Sequence, residues 1–331
     1  MLPKYISVNH VSLLVLLFLC VVGCKKEKYA LPTSKDVLQN DVIKRSLGPN
    51  VVGLNIEFAY AMALPKAKGK LVSAEVEASI AGAPGTYLEN NSYYTTGGGV
   101  DVPVLVGQPS VTQGTKTTVN FTVDTSASTL RYFYVIPEAA RGKTVSFTFS
   151  AKSSDGESVS YKMGPYTIAK MDMVRSLTVK DGGAMYISIA DTTVYTAANL
   201  GANAGKIDLI YLYRSIPNKT FLHALVAPAA DTQYRPGIVL PAGMNRNTKI
   251  NKVFNLQDHQ LAPTLQFGIY IDDLDLQQLN LSNAPNFAIN LKGEAGVWVE
   301  TADGKYRAYI FINSVDNTNK SAVISIKRYA L

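Results

Sequence analysis

The chain has 331 residues and a formal net charge of +7, from 32 Lys and Arg against 25 Asp and Glu. Its basic residues are scattered, with no arginine-rich segment or aromatic ribonucleoprotein motif, so nucleic acid is not an expected partner. Two cysteines are too few for a disulfide-stapled scaffold or a thiolate-zinc module, while the length is enough for two ordinary cores.

At the start, Lys4 and His10 precede an apolar run from Val11 to Val22, and no acidic residue occurs in the first 26 positions. The run is about 12 residues long, where a spanning helix needs about 20 and a signal-peptide core about 7–15. Residues 1–23 therefore read as an export signal. Its end, Val21-Val22-Gly23-Cys24, resembles the lipobox of bacterial lipoproteins, in which the Cys thiol takes diacylglycerol, the signal is cut before it and the new amine is acylated. Cys24 is the expected lipidation site, and more than one acyl chain on it would anchor the protein stably. Cys20 leaves with the signal, so the mature chain keeps no free thiol. Lys25, Lys26 and Lys28 follow the anchor; they suit anionic headgroups, at about 1 kcal/mol each, but not the acidic export signals of some surface-displayed lipoproteins.

Residues 24–50 read as a lipidated tether with one short helix. Ser34 is its expected cap, Val37, Leu38 and Val42 lie on adjacent turns, and Gly48-Pro49 stops it. Residues 51–174 carry the alternation of strands: Val119, Phe121 and Val123; Val145, Phe147 and Phe149; Val159, Tyr161 and Met163. Gly, Pro, Asn and Ser turns separate these runs, Ser153-Ser154-Asp155-Gly156 most clearly, and the pattern predicts an immunoglobulin-like β-sandwich. Within it, residues 81–101 read as one long loop containing Tyr87, Tyr93 and Tyr94 and a flexible triple glycine, 97–99.

Residues 175–331 read as a second β-rich, sandwich-like domain. Met185, Ile187 and Ile189 alternate, as do Ile207, Leu209 and Tyr211, with a short helix capped by Thr196 between them. Residues 296–312 predict a hairpin on a type I′ Asp303-Gly304 turn. Its register puts Val297, Val299, Ala308 and Ile310 on one face and Trp298, Glu300, Arg307 and Tyr309 on the other. The fold class is mainly β, in two domains.

Catalytic signals are sparse. There is no HExxH and no G-x-S-x-G, and Gly142-Lys143-Thr144 has Pro137 where a P-loop needs Gly. The acidic cluster Asp272, Asp273 and Asp275 offers a Ca²⁺ or glycosidase pair or, more simply, a solvated strand end and turn. His223 and the Asp258-His259 pair read as satisfied structural groups. No catalytic residue, metal or cofactor is expected. Binding has more material in the 19 tyrosines, whose flat faces and polar edges suit sugars and peptides. The candidate ligand-binding residues are Tyr87, Tyr93 and Tyr94 in the loop, and Trp298, Tyr309, Glu300 and Arg307 on the hairpin, where the simpler reading is a buried cross-strand aromatic pair.

Four segments resemble a family of two-domain Bacteroidetes lipoproteins catalogued as a domain of unknown function: "LQNDVIKRSLGPNVVGLNIEFAYAMAL", "YVIPEAARGKTVSFTFSAKSSDGESVSYKMGPYTIAKMDM", "YISIADTTVYTAANLGANAGKIDLIYLYR" and "YIFINSVDNTNKSAVISIKRY". The resemblance implies a lipoprotein made with a SusC/SusD-type outer-membrane importer. The expected function is a non-catalytic accessory component, lipid-anchored in the outer membrane and exposed on the cell surface or on the periplasmic face, that holds an oligopeptide or glycan. One alternative is a carrier of a lipid or other apolar ligand, which needs an enclosed cavity of several hundred Å³. Another is a secreted hydrolase, which needs convergent carboxylates or a Ser–His contact.

Overall fold

The structure, a computed structural model, describes residues 35–262 and 268–331. The expected signal and Cys24 lie outside the described residues.

The first domain contains β1 (Gln39–Lys44), β2 (Asn55–Ala63), β3 (Leu71–Ala78), β4 (Tyr87–Leu88), β5 (Asn91–Thr95), β6 (Asp101–Leu105), β7 (Val111–Gln113), β8 (Lys116–Asn120), β9 (Ala127–Val135), β10 (Thr144–Ser153) and β11 (Ser158–Thr167). One sheet has the order β1-β2-β9-β4 and the other β11-β10-β3-β8-β7, while β5 and β6 pair only with each other. The sequence Ala-Ser-Thr-Leu-Arg-Tyr-Phe-Tyr-Val of β9 explains the sandwich. Its two-residue period turns Leu130, Tyr132 and Tyr134 into the core and leaves Arg131 and Phe133 on the outer face. The core is aromatic: Phe58 meets Phe147 and Phe149 at 4.9 and 5.2 Å, and Tyr134 meets Phe147 at 5.0 Å, edge to face. Such pairs add about 0.5–1.5 kcal/mol each beyond area burial. Burial pushes the Tyr60 and Tyr134 hydroxyls up to about 12. Many of the tyrosines that suggested binding are therefore packing groups.

Three expectations change here. Residues 39–44 form an edge strand paired with β2 instead of a helix. Leu38 and Val42 are both buried, and a spacing of four residues fits either a helix turn or two strand periods. Residues 37–50, expected in the tether, thus belong to the first domain. The expected long loop 81–101 contains β4, β5 and the start of β6. The domain boundary lies at 168–171 instead of 174, because β12 (Asp172–Lys180) pairs with the last strand of the chain.

The second domain continues with β13 (Tyr186–Ser188), β14 (Thr193–Tyr195), β15 (Leu209–Ile216), β16 (Lys219–Val226), β17 (Lys249–Val253), α1 (Asp273–Gln278), β18 (Phe287–Leu291), β19 (Gly296–Glu300), β20 (Tyr306–Asp316) and β21 (Ser321–Ala330). Its sheets have the orders β12-β21-β20-β19-β17 and β14-β13-β15-β16-β18. Ile187, Leu209, Val297, Val299, Ala308, Ile310 and Ile326 form the core between them. The β15 sheet is buried on both faces, because Ile210 and Leu212 pack under Leu200, Ala204 and Met244. The expected helix at 196–206 is a turn held by Asn199 and Thr196, followed by a 3-10 helix, Gly201–Lys206. In the β19–β20 hairpin the register is as expected, Trp298 opposite Tyr309 and Glu300 opposite Arg307. The turn differs: Thr301 and Tyr306 close a longer loop, and Gly304 alone takes positive φ, +67°. The Asp303 carboxylate accepts from the Thr301 hydroxyl and the Lys305 amide, a local bond that favours this turn.

A fourth apolar cluster joins the domains. Val51 of the first domain packs with Ala169 and Met171 of the connection and with Leu261, Ile271, Leu276, Tyr309 and Phe311 of the second. Arg141 donates to the Lys170 and Met171 carbonyls, each at 3.0 Å, and pairs with Asp172 at 2.7 Å. The Asp273 carboxylate accepts the Lys170 and Met171 amides at 2.7 and 3.0 Å.

Candidate functional site

The outer face of the β1-β2-β9-β4 sheet carries Tyr87 and Phe133, and the β5–β6 hairpin brings Tyr93 to it. Strand pairing sets Glu57, Phe133 and Tyr87 side by side across β2, β9 and β4. The Tyr87 and Phe133 rings stack nearly parallel, with centroids 4.9 Å apart and planes at 14°. Tyr87 is 41% exposed. Arg45 Nε lies 3.3 Å from the Glu57 carboxylate. Partial burial, then the Glu89 and Glu57 carboxylates, raises the Tyr87 hydroxyl above its ordinary value.

One row further along, Arg131 opposes Ala59 of β2, and the β5–β6 hairpin folds over it. The Arg131 guanidinium sits 3.9 Å from the Tyr93 ring centroid and pairs with Asp101, while the Thr95 hydroxyl donates to Asp101 at 2.7 Å. The Thr95 bond first, then Arg131, holds the Asp101 carboxyl below the usual carboxylate range. The Ser92 hydroxyl accepts the Thr129 amide at 3.0 Å, which fastens the hairpin to β9. Neighbouring strand residues point to opposite faces, so Tyr94 turns away from Tyr93 and is 56% exposed. Along the same sheet, a cleft of about 320 Å³ lies over Ala61, Ala63, Ala127 and Thr129.

Of the sequence-selected residues, Tyr87 and Tyr93 thus share one face and Tyr94 lies on the far side of their hairpin. Phe133, Arg131, Asp101 and Glu57 were not selected. Their signal was the alternation of β9, which, once Leu130, Tyr132 and Tyr134 point inward, obliges Arg131 and Phe133 to point out.

The second candidate set belongs to the domain joint. Tyr309 is fully buried, its ring centroid 4.6 Å from that of Trp298, and its hydroxyl donates to the Leu256 carbonyl. Gly296, on the same face, leaves room for this ring; a Cβ there would overlap it. Glu300 and Arg307 pair at 2.9 Å, and Arg307 also donates to the Leu276 and Gln277 carbonyls at the end of α1. Tyr309 offers no accessible surface to a ligand, and Arg307 is engaged in closing a helix. Tyr309 is thus a core residue, while Trp298 beside it is only half-buried.

The groups weighed for catalysis are tied into the framework as well. Asp272 and Asp275 form a capping box at the start of α1, a reciprocal arrangement that satisfies its first amides, and Asp273 latches the domain connection. Asp258 is fully buried; it accepts from the Gln260, Leu261 and Ile271 amides and pairs with buried Lys327 at 2.6 Å. His223 contacts the Tyr211 hydroxyl at 2.6 Å and the Asn317 side-chain oxygen at 2.8 Å. Among the described residues no group of three His, Cys, Asp or Glu side chains is placed to hold a metal ion.

Fold and face together define a two-domain, mainly β protein that presents aromatic residues on the outside of its first sandwich. Residues 35–168 match the family described as domain of unknown function DUF4466, and residues 169–331 match domain of unknown function DUF8576. The crystal structure of a DUF4466 family protein from Parabacteroides merdae ATCC 43184 is 49% identical, covers 89% of this chain and 99% of its own, and superposes with a TM-score of 0.85. The chain belongs to the DUF4466 family. Two pilins are remote: the major pilin subunit of Bacillus cereus (9% identity, 86% of this chain and 63% of that one) and a C-terminal fragment of the major pilin of Streptococcus agalactiae (16%, 56% and 74%). Both have TM-scores of 0.28 and carry no argument about this chain. No curated protein matches it.

Proposed function

We propose that this protein is a non-catalytic lipoprotein, anchored in the outer membrane through Cys24, that serves as an accessory nutrient-binding component beside a SusC/SusD-type importer. The observation that carries the binding part is the Tyr87–Phe133 stack: two parallel rings on a sheet face, one of them 41% exposed and bordered by charged side chains. An oligopeptide or a glycan is the ligand class such a face suits. The anchor is supported by the short apolar run and Val-Val-Gly-Cys ending of residues 21–24. The importer context is supported by the family resemblance of the four long segments. The non-catalytic character is supported by the framework roles of Asp258, Asp272, Asp273, Asp275 and His223.

Affinity purification of the full chain from native membranes, with identification of what elutes, tests this reading. A SusC-type transporter in the eluate and an acylated N-terminal peptide beginning at Cys24 are the expected results. An unacylated chain, or an eluate without any transporter, contradicts it.

A further inference from the structure

The β5–β6 hairpin is an exposed element almost without charge. From residue 90 to residue 115 Asp101 is the only charged side chain, in a chain that is 17% charged. Arg131 and the Thr95 hydroxyl occupy that carboxylate. Tyr94 faces Val102 across the two strands, and Val104 follows on the same face. Tyr94, Val100, Val104 and Leu105 are all exposed. The tip bonds its own backbone: the Thr96 amide donates to the Val100 carbonyl and the Gly99 amide to the Thr96 carbonyl, both at 2.9 Å, and the Val100 amide donates to the Thr96 hydroxyl at 3.2 Å. A lipid surface accepts such an element at little cost, because no unpaired charge loses its water and these three donors already have acceptors.

The position of the hairpin names its occupant. Tyr87 lies opposite Phe133, and Ser92 holds the Thr129 amide, so the chain advances along β9 toward Ala127. Ala127 shares a row with Ala63 and Gln39, where β1 begins. The hairpin and the start of β1 thus stand at one end of the first sandwich. From there β1 runs to Lys44, opposite Phe58, and the chain goes on to Val51, which packs in the joint with the second domain, at the other end. Residues 25–36 span at most about 40 Å, so an anchor at Cys24 keeps the hairpin's end of the sandwich beside the bilayer. Exposed apolar side chains held there have a lipid surface as their neighbour.

We infer that the β5–β6 hairpin dips into the membrane that holds the anchor, an inference that rests on the acylation of Cys24 proposed above. Val100 at its tip reaches the acyl boundary, and the Tyr94 ring lies among the headgroups, where amphipathic rings are favoured. The test uses the mature lipoprotein in vesicles of phosphatidylcholine, with and without bromine on the acyl chains. The chain's one tryptophan, Trp298 in the second domain, is the internal reference. Val100→Trp and Tyr94→Trp report on the hairpin, and Val239→Trp, at an exposed position of the second domain, is the distal control. Bromine is expected to remove most of the emission added by Val100→Trp and a smaller share of that added by Tyr94→Trp, and to leave Trp298 and Val239→Trp unchanged. Two hairpin positions, each with an unfolding midpoint, separate loss of contact from loss of fold. Hairpin emission untouched by bromine in an acylated, vesicle-bound protein overturns the contact and leaves the anchor standing. An N-terminal peptide without its acyl group overturns both. Shielding of the hairpin indoles that needs no lipid and grows with protein concentration, or that appears only with a co-purified transporter, assigns the face to a protein and overturns the lipid contact.

Discussion

Two cross-strand aromatic pairs in this molecule differ in how far their tyrosine is covered: Tyr87 is 41% exposed and Tyr309 fully buried, while Phe133 and Trp298 are both half-buried. Tyr87 and Phe133 face each other across β4 and β9, as Trp298 and Tyr309 do across β19 and β20. In the first domain the pair lies at a sheet edge, and Tyr87 stays exposed. In the second, the chain between β17 and β18 returns over the sheet, so that Leu256, Leu261 and Ile271 cover Tyr309. Lys327 and Asp258 pin that returning segment from below, where Lys327 also donates to the Ile271 carbonyl. A tyrosine of such a pair becomes core or surface according to which segment crosses it, a property of topology that the residue does not carry itself.

The contrast can be broken most forcefully at the pin. Lys327→Met leaves Asp258 buried and unpaired, and a loss of about 3–5 kcal/mol in denaturant unfolding is expected. An unchanged midpoint would mean that the returning segment needs no ionic anchor. Next in size, Tyr309→Ala removes a fully buried ring and is expected to cost about 3–5 kcal/mol, whereas Tyr87→Ala is expected to stay within about 1 kcal/mol, as surface changes do. Equal losses at the two positions would erase the distinction. Smaller again, Asp273→Ala deletes the acceptor of the Lys170 and Met171 amides and is expected to cost about 1–3 kcal/mol, with faster amide exchange at residues 170 and 171 as its signature.

A pH effect sharpens the picture inside the second domain. Burial first, against the Asn317 bond and the Asp316 charge, lowers the His223 value from 6.5. Below that value the unfolded chain takes up a proton that the folded chain resists, so stability falls as the pH drops. The slope of unfolding free energy between about pH 7 and about pH 5 is expected to be shallower in His223→Gln, by the share of one proton. An identical slope would mean that the ring takes up its proton over the same pH range in the folded and unfolded chain.

Strands with a clean two-residue period were legible in the sequence. Val145, Phe147 and Phe149 share the core, and the 298–309 and 300–307 pairings follow from hairpin geometry alone. Residues 37–44 were not legible, because Leu38 and Val42 fit both periods and only pairing with β2 decides between them. Residues 81–101 concealed two short strands, since β4 has two residues and β5 is mostly polar. Half of the candidate site was readable as tyrosines in a glycine-rich stretch. The other half lies downstream: Phe133 joins Tyr87 through the pairing of β4 with β9, and Arg131 meets Tyr93 and Asp101 of the β5–β6 hairpin. Tyrosine abundance misled, because Tyr60, Tyr132, Tyr134, Tyr211 and Tyr309 are all core residues.

The most direct measurement is tyrosine nitration of the folded chain with tetranitromethane, followed by peptide mass analysis. Rapid modification of Tyr87 and Tyr94 with Tyr309 protected until the protein unfolds is the predicted pattern. Tyr309 reacting as fast as Tyr87, or Tyr87 shielded in the free protein, would contradict the placement of Tyr87 at the surface and Tyr309 in the core.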